Sequence, residues 1–191
     1  MKRSLLLVCY LVSSQLFSQD LIPLAKIETR LGTIYFEFHE ETIAHKKSFI
    51  ELANSNYWDS LTFNRVIPNF VAQGGCPDTE EGFTDASYLL EPEIFPHITH
   101  IYGAVGAGRD DNPGKISARC QFYIIHRKEG VHRLDGNYTI FGQVIKGMDV
   151  VDAIVNEEKD TTNQPLEDIG LKISIEYWNP EQISLAKKQS L

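Results

Sequence analysis

A chain of 191 residues with 42% hydrophobic and 23% charged residues can enclose one hydrophobic core and is short for two, so a single domain is expected. That mixture excludes a disordered chain and a coiled coil. A formal net charge of -8 without any Lys/Arg-rich run opposes phosphate backbones, so no nucleic-acid partner is expected.

The N-terminus differs from the rest of the chain. Lys2 and Arg3 precede the apolar run Leu5 to Val12, and the polar, small-residue stretch Ser13 to Gln19 follows. Charged, apolar and cleavable regions in that order read as a signal peptide over residues 1–19, with export, to the periplasm, as its consequence. The alternative is a buried N-terminal strand or helix. The apolar run is too short to span a bilayer, so no stable membrane insertion is expected. Cys9 lies inside that run without small residues just before it, which argues against a lipid-modified cysteine. Beyond it the chain keeps only Cys76 and Cys120, and their spacing leaves open one disulfide or two separate buried thiols.

From Ala25 to Phe38 apolar and polar residues alternate around Gly32, the pattern of a β-hairpin. Residues 42–56 switch to helical spacing, with Ile43, Phe49, Leu52 and Ala53 near one face. A second helix is expected over 147–156, where Met148, Val151, Ile154 and Val155 recur every three to four residues. The remaining segments rich in β-branched and aromatic residues read as strands: 61–67, 70–73, 102–105, 121–126, 139–144 and 171–177. Many short strands, two helices and no βαβ rhythm indicate an antiparallel barrel or sandwich. The domain is placed at 20–178, and the polar tail 179–191 reads as a short, weakly ordered extension. With no spare apolar helix face, the chain reads as a monomer.

The densest segment is Phe63-Asn64-Arg65-Val66-Ile67-Pro68-Asn69-Phe70-Val71-Ala72-Gln73-Gly74-Gly75. In an extended chain Phe63, Arg65 and Ile67 share one face, and Val71 and Gln73 share one face of the next strand. Gln121 and Tyr123 fall on one side of a later strand, with Phe122 and Ile124 on the other. There is no activated Ser or Cys and no His/Asp/Glu set at metal spacing. His97-x-x-His100 comes nearest but lacks a helix to align its rings, so no metal site is expected. Taken alone, Arg65 and Gln73 are an ion-pair residue and a strand amide.

Phe63 to Gly75 resembles the signature of the cyclophilins. Three further blocks agree in order: Gly103 to Arg109, Gln121 to Ile124, and Leu134 to Gly142. The chain is similar to the family from about residue 25 to residue 177, with Arg109 and Tyr138 resembling its bacterial branch. The resemblance implies a mainly β fold, a closed eight-stranded antiparallel barrel capped by two α-helices, and an outer groove for proline-containing peptides or unfolded proteins. It implies a peptidyl-prolyl cis-trans isomerase that needs no cofactor. Carried over, Arg65 is the catalytic arginine, with Gln73 and Phe70 beside it. Asn64, Ala107, Gly108, Arg109, Gln121, Tyr123, Leu134 and Tyr138 complete the substrate site. Asn64 stands where the family has a histidine, Arg133 where it has a tryptophan, and Tyr138 where it has another histidine. A non-catalytic proline-peptide-binding or chaperone module on the same fold is the alternative.

Overall fold

The structure, a computed structural model, describes residues 21–76 and 88–189. The signal-peptide reading of residues 1–19 lies outside them. Ten strands and three α-helices are described: β1 (Ile22–Thr29), β2 (Gly32–Phe38), α1 (Ile43–Asn54), β3 (Thr62–Ile67), β4 (Val71–Gly75), β5 (Leu89–Leu90), β6 (Ala104–Ala107), β7 (Ser117–Ala118), β8 (Gln121–Ile125), β9 (Ile140–Lys146), α2 (Met148–Asn156), β10 (Lys172–Trp178) and α3 (Pro180–Gln189).

Eight strands form one antiparallel sheet in the order β10-β1-β2-β9-β6-β8-β4-β3, and β5 pairs with β7 apart from it. The alternation expected for 25–38 is the β1–β2 hairpin, in which Ala25, Ile27, Ile34 and Phe36 turn inward and are wholly buried. Both expected helices form. They pack Phe49 and Leu52 of α1, and Val151, Ile154 and Val155 of α2, against Phe36, Trp58, Phe63, Phe122 and Phe141 inside the curl of the sheet. Thr42 makes no side-chain cap to α1. The Glu93 carboxylate instead accepts from the N–H groups of Ala44 and His45, favourable at a helix N-terminus.

The closed barrel is corrected to a curled, open half-barrel. The outer edge of β3 does not pair with β10 as a ladder: the loop before β10 occupies that edge. Val66 N–H donates to Asn163 O, Phe63 N–H donates to Ile169 O, and Leu171 N–H donates back to Leu61 O. Among the described residues, the β-pairing across this seam is limited to one isolated bridge, Thr62 to Gly170. The backbone donors of this edge are thus satisfied without closure.

Two further expectations change. Residues 180–189 are a helix rather than a weakly ordered tail. Asn179 Oδ1 accepts from Gln182 N–H at 2.9 Å while Gln182 Oε1 accepts from Asn179 N–H at 2.8 Å. This is a reciprocal cap, with Pro180 at the first helical position. Ile183 and Ala186 then bury themselves against Leu24 and Ile145. Second, Phe63, Arg65 and Ile67 do not share one face. The register shifts between Phe63 and Arg65, so a bulge at Asn64 sends Phe63 and Val66 into the core and leaves Arg65 outward.

Cys76 and Cys120 are bonded to each other, their Cα atoms 5.4 Å apart. No helix among the described residues is long and apolar enough to cross a membrane.

Candidate functional site

The bulge at Asn64 sets up a row of neighbours across four strands. Arg65 on β3 lies opposite Gln73 on β4, Gln73 opposite Tyr123 on β8, and Tyr123 opposite Gly106 on β6. Directly opposed residues of an antiparallel pair share a face, and this is the outer face of the sheet. Phe70 follows the β3–β4 turn, Gly108 and Arg109 follow β6, Arg133 and Leu134 lie in a short 3-10 turn, and Tyr138 precedes β9. Together with Val71 and Gln121 they enclose a cleft of about 220 Å³ over the row.

The Arg65 guanidinium donates from Nη1 to Gln73 Oε1 at 3.2 Å and lies 5.8 Å from the centre of the Phe70 ring. Gln121 donates from Nε2 to Cys76 O at 3.1 Å, so the disulfide and the amide brace the same ends of β4 and β8. Two glycines are dictated by close approach. A Cβ on Gly106 would come 2.2 Å from Cζ of Tyr123, and one on Gly108 would come 1.9 Å from Oε1 of Gln121.

The floor of the cleft is apolar. Phe70, Val71, Tyr123, Leu134 and Tyr138 form a cluster with Val131, Ile140 and Ile125, separate from the main core. Burial raises the Tyr123 phenol well above its ordinary range, so this residue is a neutral hydroxyl. It lies 2.9 Å from His100 Nε2. Burial pulls His100 below the ordinary histidine value, with Asp135 opposing the shift, so the ring is neutral near pH 7.

Of the residues singled out from sequence, Arg65, Phe70, Gln73, Gly108, Arg109, Gln121, Tyr123, Leu134 and Tyr138 converge on the cleft. Two lie aside. The Asn64 amide donates to Gly75 O at 3.1 Å, away from Arg65, and the Ala107 methyl sits in the main core beside Phe122. Arg133, noted in the sequence only as a replacement, lines the cleft with its guanidinium 4.9 Å from the Phe70 ring centre. His100 stands out in the sequence only as half of the pair His97-x-x-His100, because its tie to Tyr123 exists only after folding. Of the pair His97 and His100, the first faces Glu41 and the second is held by Asp135 and Tyr123. Among the described residues no group of three or more His, Cys, Asp and Glu converges on a metal position.

Among the described residues the lining contains no Ser, Thr, Cys or carboxylate. It offers a guanidinium held by an amide, two buried amides and an apolar floor. The model of the family "Cyclophilin type peptidyl-prolyl cis-trans isomerase/CLD" matches residues 24–174, and the chain belongs to that family. Among similar proteins, peptidyl-prolyl cis-trans isomerase B of Bacillus subtilis is 40% identical over 121 residues, 61% of this chain and 78% of that protein. A peptidyl-prolyl cis-trans isomerase of Acinetobacter baylyi is 32% identical over 142 residues, 72% of this chain and 74% of that protein. Among solved structures, a Cryptosporidium parvum cyclophilin type peptidyl-prolyl cis-trans isomerase, crystallised in the presence of the dipeptide Ala-Pro, superimposes with a TM-score of 0.71 at 26% identity. The match covers 80% of this chain and 98% of that one.

Proposed function

We propose that the cleft binds X-Pro segments of exported, folding proteins and accelerates their cis-trans rotation, with Arg65 as the catalytic residue. The observation that carries this reading is the placement of the Arg65 guanidinium, anchored by Gln73 and set beside Phe70 over an apolar floor. Rotation requires the amide to lose its resonance across a barrier of about 18–20 kcal/mol, and no bond breaks. In the twisted amide the proline nitrogen recovers its lone pair and becomes an acceptor. A donor fixed at that point binds the transition state better than the planar ground state. Phe70, Leu134 and Tyr123 hold the ring while the preceding carbonyl swings. Gln73 and Gln121 orient Arg65 and the substrate backbone, and the backbone at Gly108 and Arg109 grips the residue before proline.

Export is supported by Lys2, Arg3 and the apolar run Leu5 to Val12, and by a disulfide of the kind that persists in oxidising compartments. The large exposed apolar residues, Ile43, Ile101, Leu166, Tyr177 and Leu185 among them, are scattered along the chain, which supports a monomer. The test is a protease-free measurement of cis-to-trans relaxation in a short X-Pro peptide. The native protein accelerates relaxation, and Arg65→Ala loses about 10²- to 10³-fold of that rate, as for removal of a single transition-state donor. Native protein that binds the peptide without accelerating relaxation establishes the non-catalytic binding module instead.

A further inference from the structure

The six described arginines fall into two groups. Arg30, Arg119 and Arg127 each meet a carboxylate, from Glu157 and Glu167, Glu51, and Glu129 respectively. Arg65, Arg109 and Arg133 all line the cleft, and each is held by neutral groups. Arg65 donates to the Gln73 amide. Arg109 donates to the carbonyls of Asn137, Asp110 and Asn112 and lies 4.4 Å from the Tyr138 ring centre. Arg133 is exposed, stacks on Phe70, and has no ion pair among the described residues.

Two carboxylates close in sequence, Asp135 and Asp110, are engaged by other groups. Asp135 receives the N–H and ring of His100 on one oxygen and the ring of His132 on the other. Asp110 accepts from the Asn112 amide. A chain of net charge -8 has thus gathered three guanidiniums around one cleft whose described lining has no acid to offset them. Guanidinium groups pair with carboxylates through a planar fork, and desolvation inside a cleft strengthens the attraction.

We propose that the cleft selects proline segments bearing an acidic residue next to the proline, and that Arg133 is the specificity residue that reads its carboxylate. This rests on the isomerase reading of the same cleft. Arg133 is suited to the task because its guanidinium stacks on the Phe70 ring at the wall of the proline pocket, and a stacked guanidinium keeps its in-plane N–H donors free for a carboxylate. A carboxylate one residue from the proline then meets it without displacing an existing partner.

The experiment compares kcat/KM on capped Ala-Glu-Pro-Phe against Ala-Lys-Pro-Phe, and Ala-Ala-Pro-Glu against Ala-Ala-Pro-Lys, with Ala-Ala-Pro-Phe as the neutral reference. In at least one pair the glutamate peptide exceeds the lysine peptide by about fivefold or more at low salt, the size expected when attraction is exchanged for repulsion at partly exposed charges. The ratio shrinks in about 0.5 M NaCl. Arg133→Gln lowers it by about threefold and Arg133→Lys retains most of it. A native ratio of one in both pairs, or a ratio that Arg133→Gln leaves unchanged, overturns the proposal. Should even the neutral peptide show no acceleration, the isomerase reading fails by itself. Dissociation constants of the same glutamate and lysine peptides, measured by titration, then decide the charge preference independently.

Discussion

The hydroxyl of Tyr123 lies 2.9 Å from Nε2 of His100, whose Nδ1 lies 2.7 Å from Oδ1 of Asp135. With Nδ1–H donating to the carboxylate, Nε2 keeps its lone pair and accepts a hydrogen bond from the tyrosine O–H. A wall of the cleft is therefore held from behind by a buried polar chain rather than by packing alone.

Tyr123→Phe keeps the ring and removes the hydroxyl, leaving His100 Nε2 buried without its partner. A loss of about 1–3 kcal/mol in unfolding free energy is expected. Isomerase activity should fall far less than in Arg65→Ala, because the pocket wall remains. Urea denaturation and the relaxation assay on the same variant separate the two effects.

Acid should destabilise the fold in two stages. Burial lowers His39, His45 and His100 below the ordinary histidine value near 6.5, Glu93 opposing the shift at His45 and Asp135 at His100. The unfolded chain then binds more protons than the native one. Stability contributed by the neutral rings is fully present above about pH 6.5 and falls as pH drops toward the folded values. Burial pushes the Glu93 and Asp135 carboxyls up, but backbone and histidine hydrogen bonds overcome it and hold both below the ordinary carboxylate range. Their contribution is present above the ordinary carboxylate pKa and lost below it. Urea midpoints from pH 8 to about pH 4 should decline first below about 6.5 and again near 4. A midpoint independent of pH between 7 and 5 would contradict the histidine assignment.

Gly108→Ala places a methyl on the Gln121 amide, 1.9 Å from Oε1, and Gly106→Ala places one 2.2 Å from the Tyr123 ring. Gln121 has flexible torsions and can move, so Gly108→Ala should fold but lose about tenfold or more in kcat/KM as the amide leaves its station. The Tyr123 ring is fixed by His100, so Gly106→Ala should cost about 1–3 kcal/mol of stability as well. Kinetics and thermal melts on both variants test the contrast.

The Cys76–Cys120 bond closes a separation of 44 residues, for which chain entropy gives roughly 4 kcal/mol. The Cys76→Ser, Cys120→Ser double variant should therefore melt well below the native protein and match the reduced native protein. Cys76 N–H donates to Cys120 O, and Gln121 donates to Cys76 O. Loss of the bond should thus also lower activity at temperatures below the melt.

Asn179→Ala removes a side-chain acceptor from the first turn of α3 and should cost about 0.5–2 kcal/mol. Ile183→Ala, in the cluster beneath the helix, should cost about 2–5 kcal/mol. Both substitutions lie outside the cleft, so kcat/KM of the folded fraction should not change. Circular dichroism melts paired with the relaxation assay check this.

Sequence patterning located the β1–β2 hairpin, α1, α2 and the main strands because each of these depends on local periodicity. The strand expected at 102–105 lies two residues later, at 104–107. Its apolar run is continuous, so alternation could not fix the start. The Asn179-Pro180-Glu181-Gln182 start signal of α3 was legible, yet the polar composition of the tail masked it.

What the sequence by itself determined is the inventory: alternating and helical apolar faces, the residues that converge on the cleft, and the family whose blocks they spell in order. These are properties of residue type and spacing along the chain. Only the tertiary structure decided that Asn64 bulges so that Arg65 faces out, that the loop before β10 takes the edge of β3 and leaves the barrel open, and that Cys76 and Cys120 meet. The same holds for His100 behind Tyr123 and for three arginines around one cleft that meet no carboxylate among the described residues. Each of these is a choice of partner between segments far apart in the chain, fixed by which unsatisfied donor, edge or charge finds a complement once the core has closed.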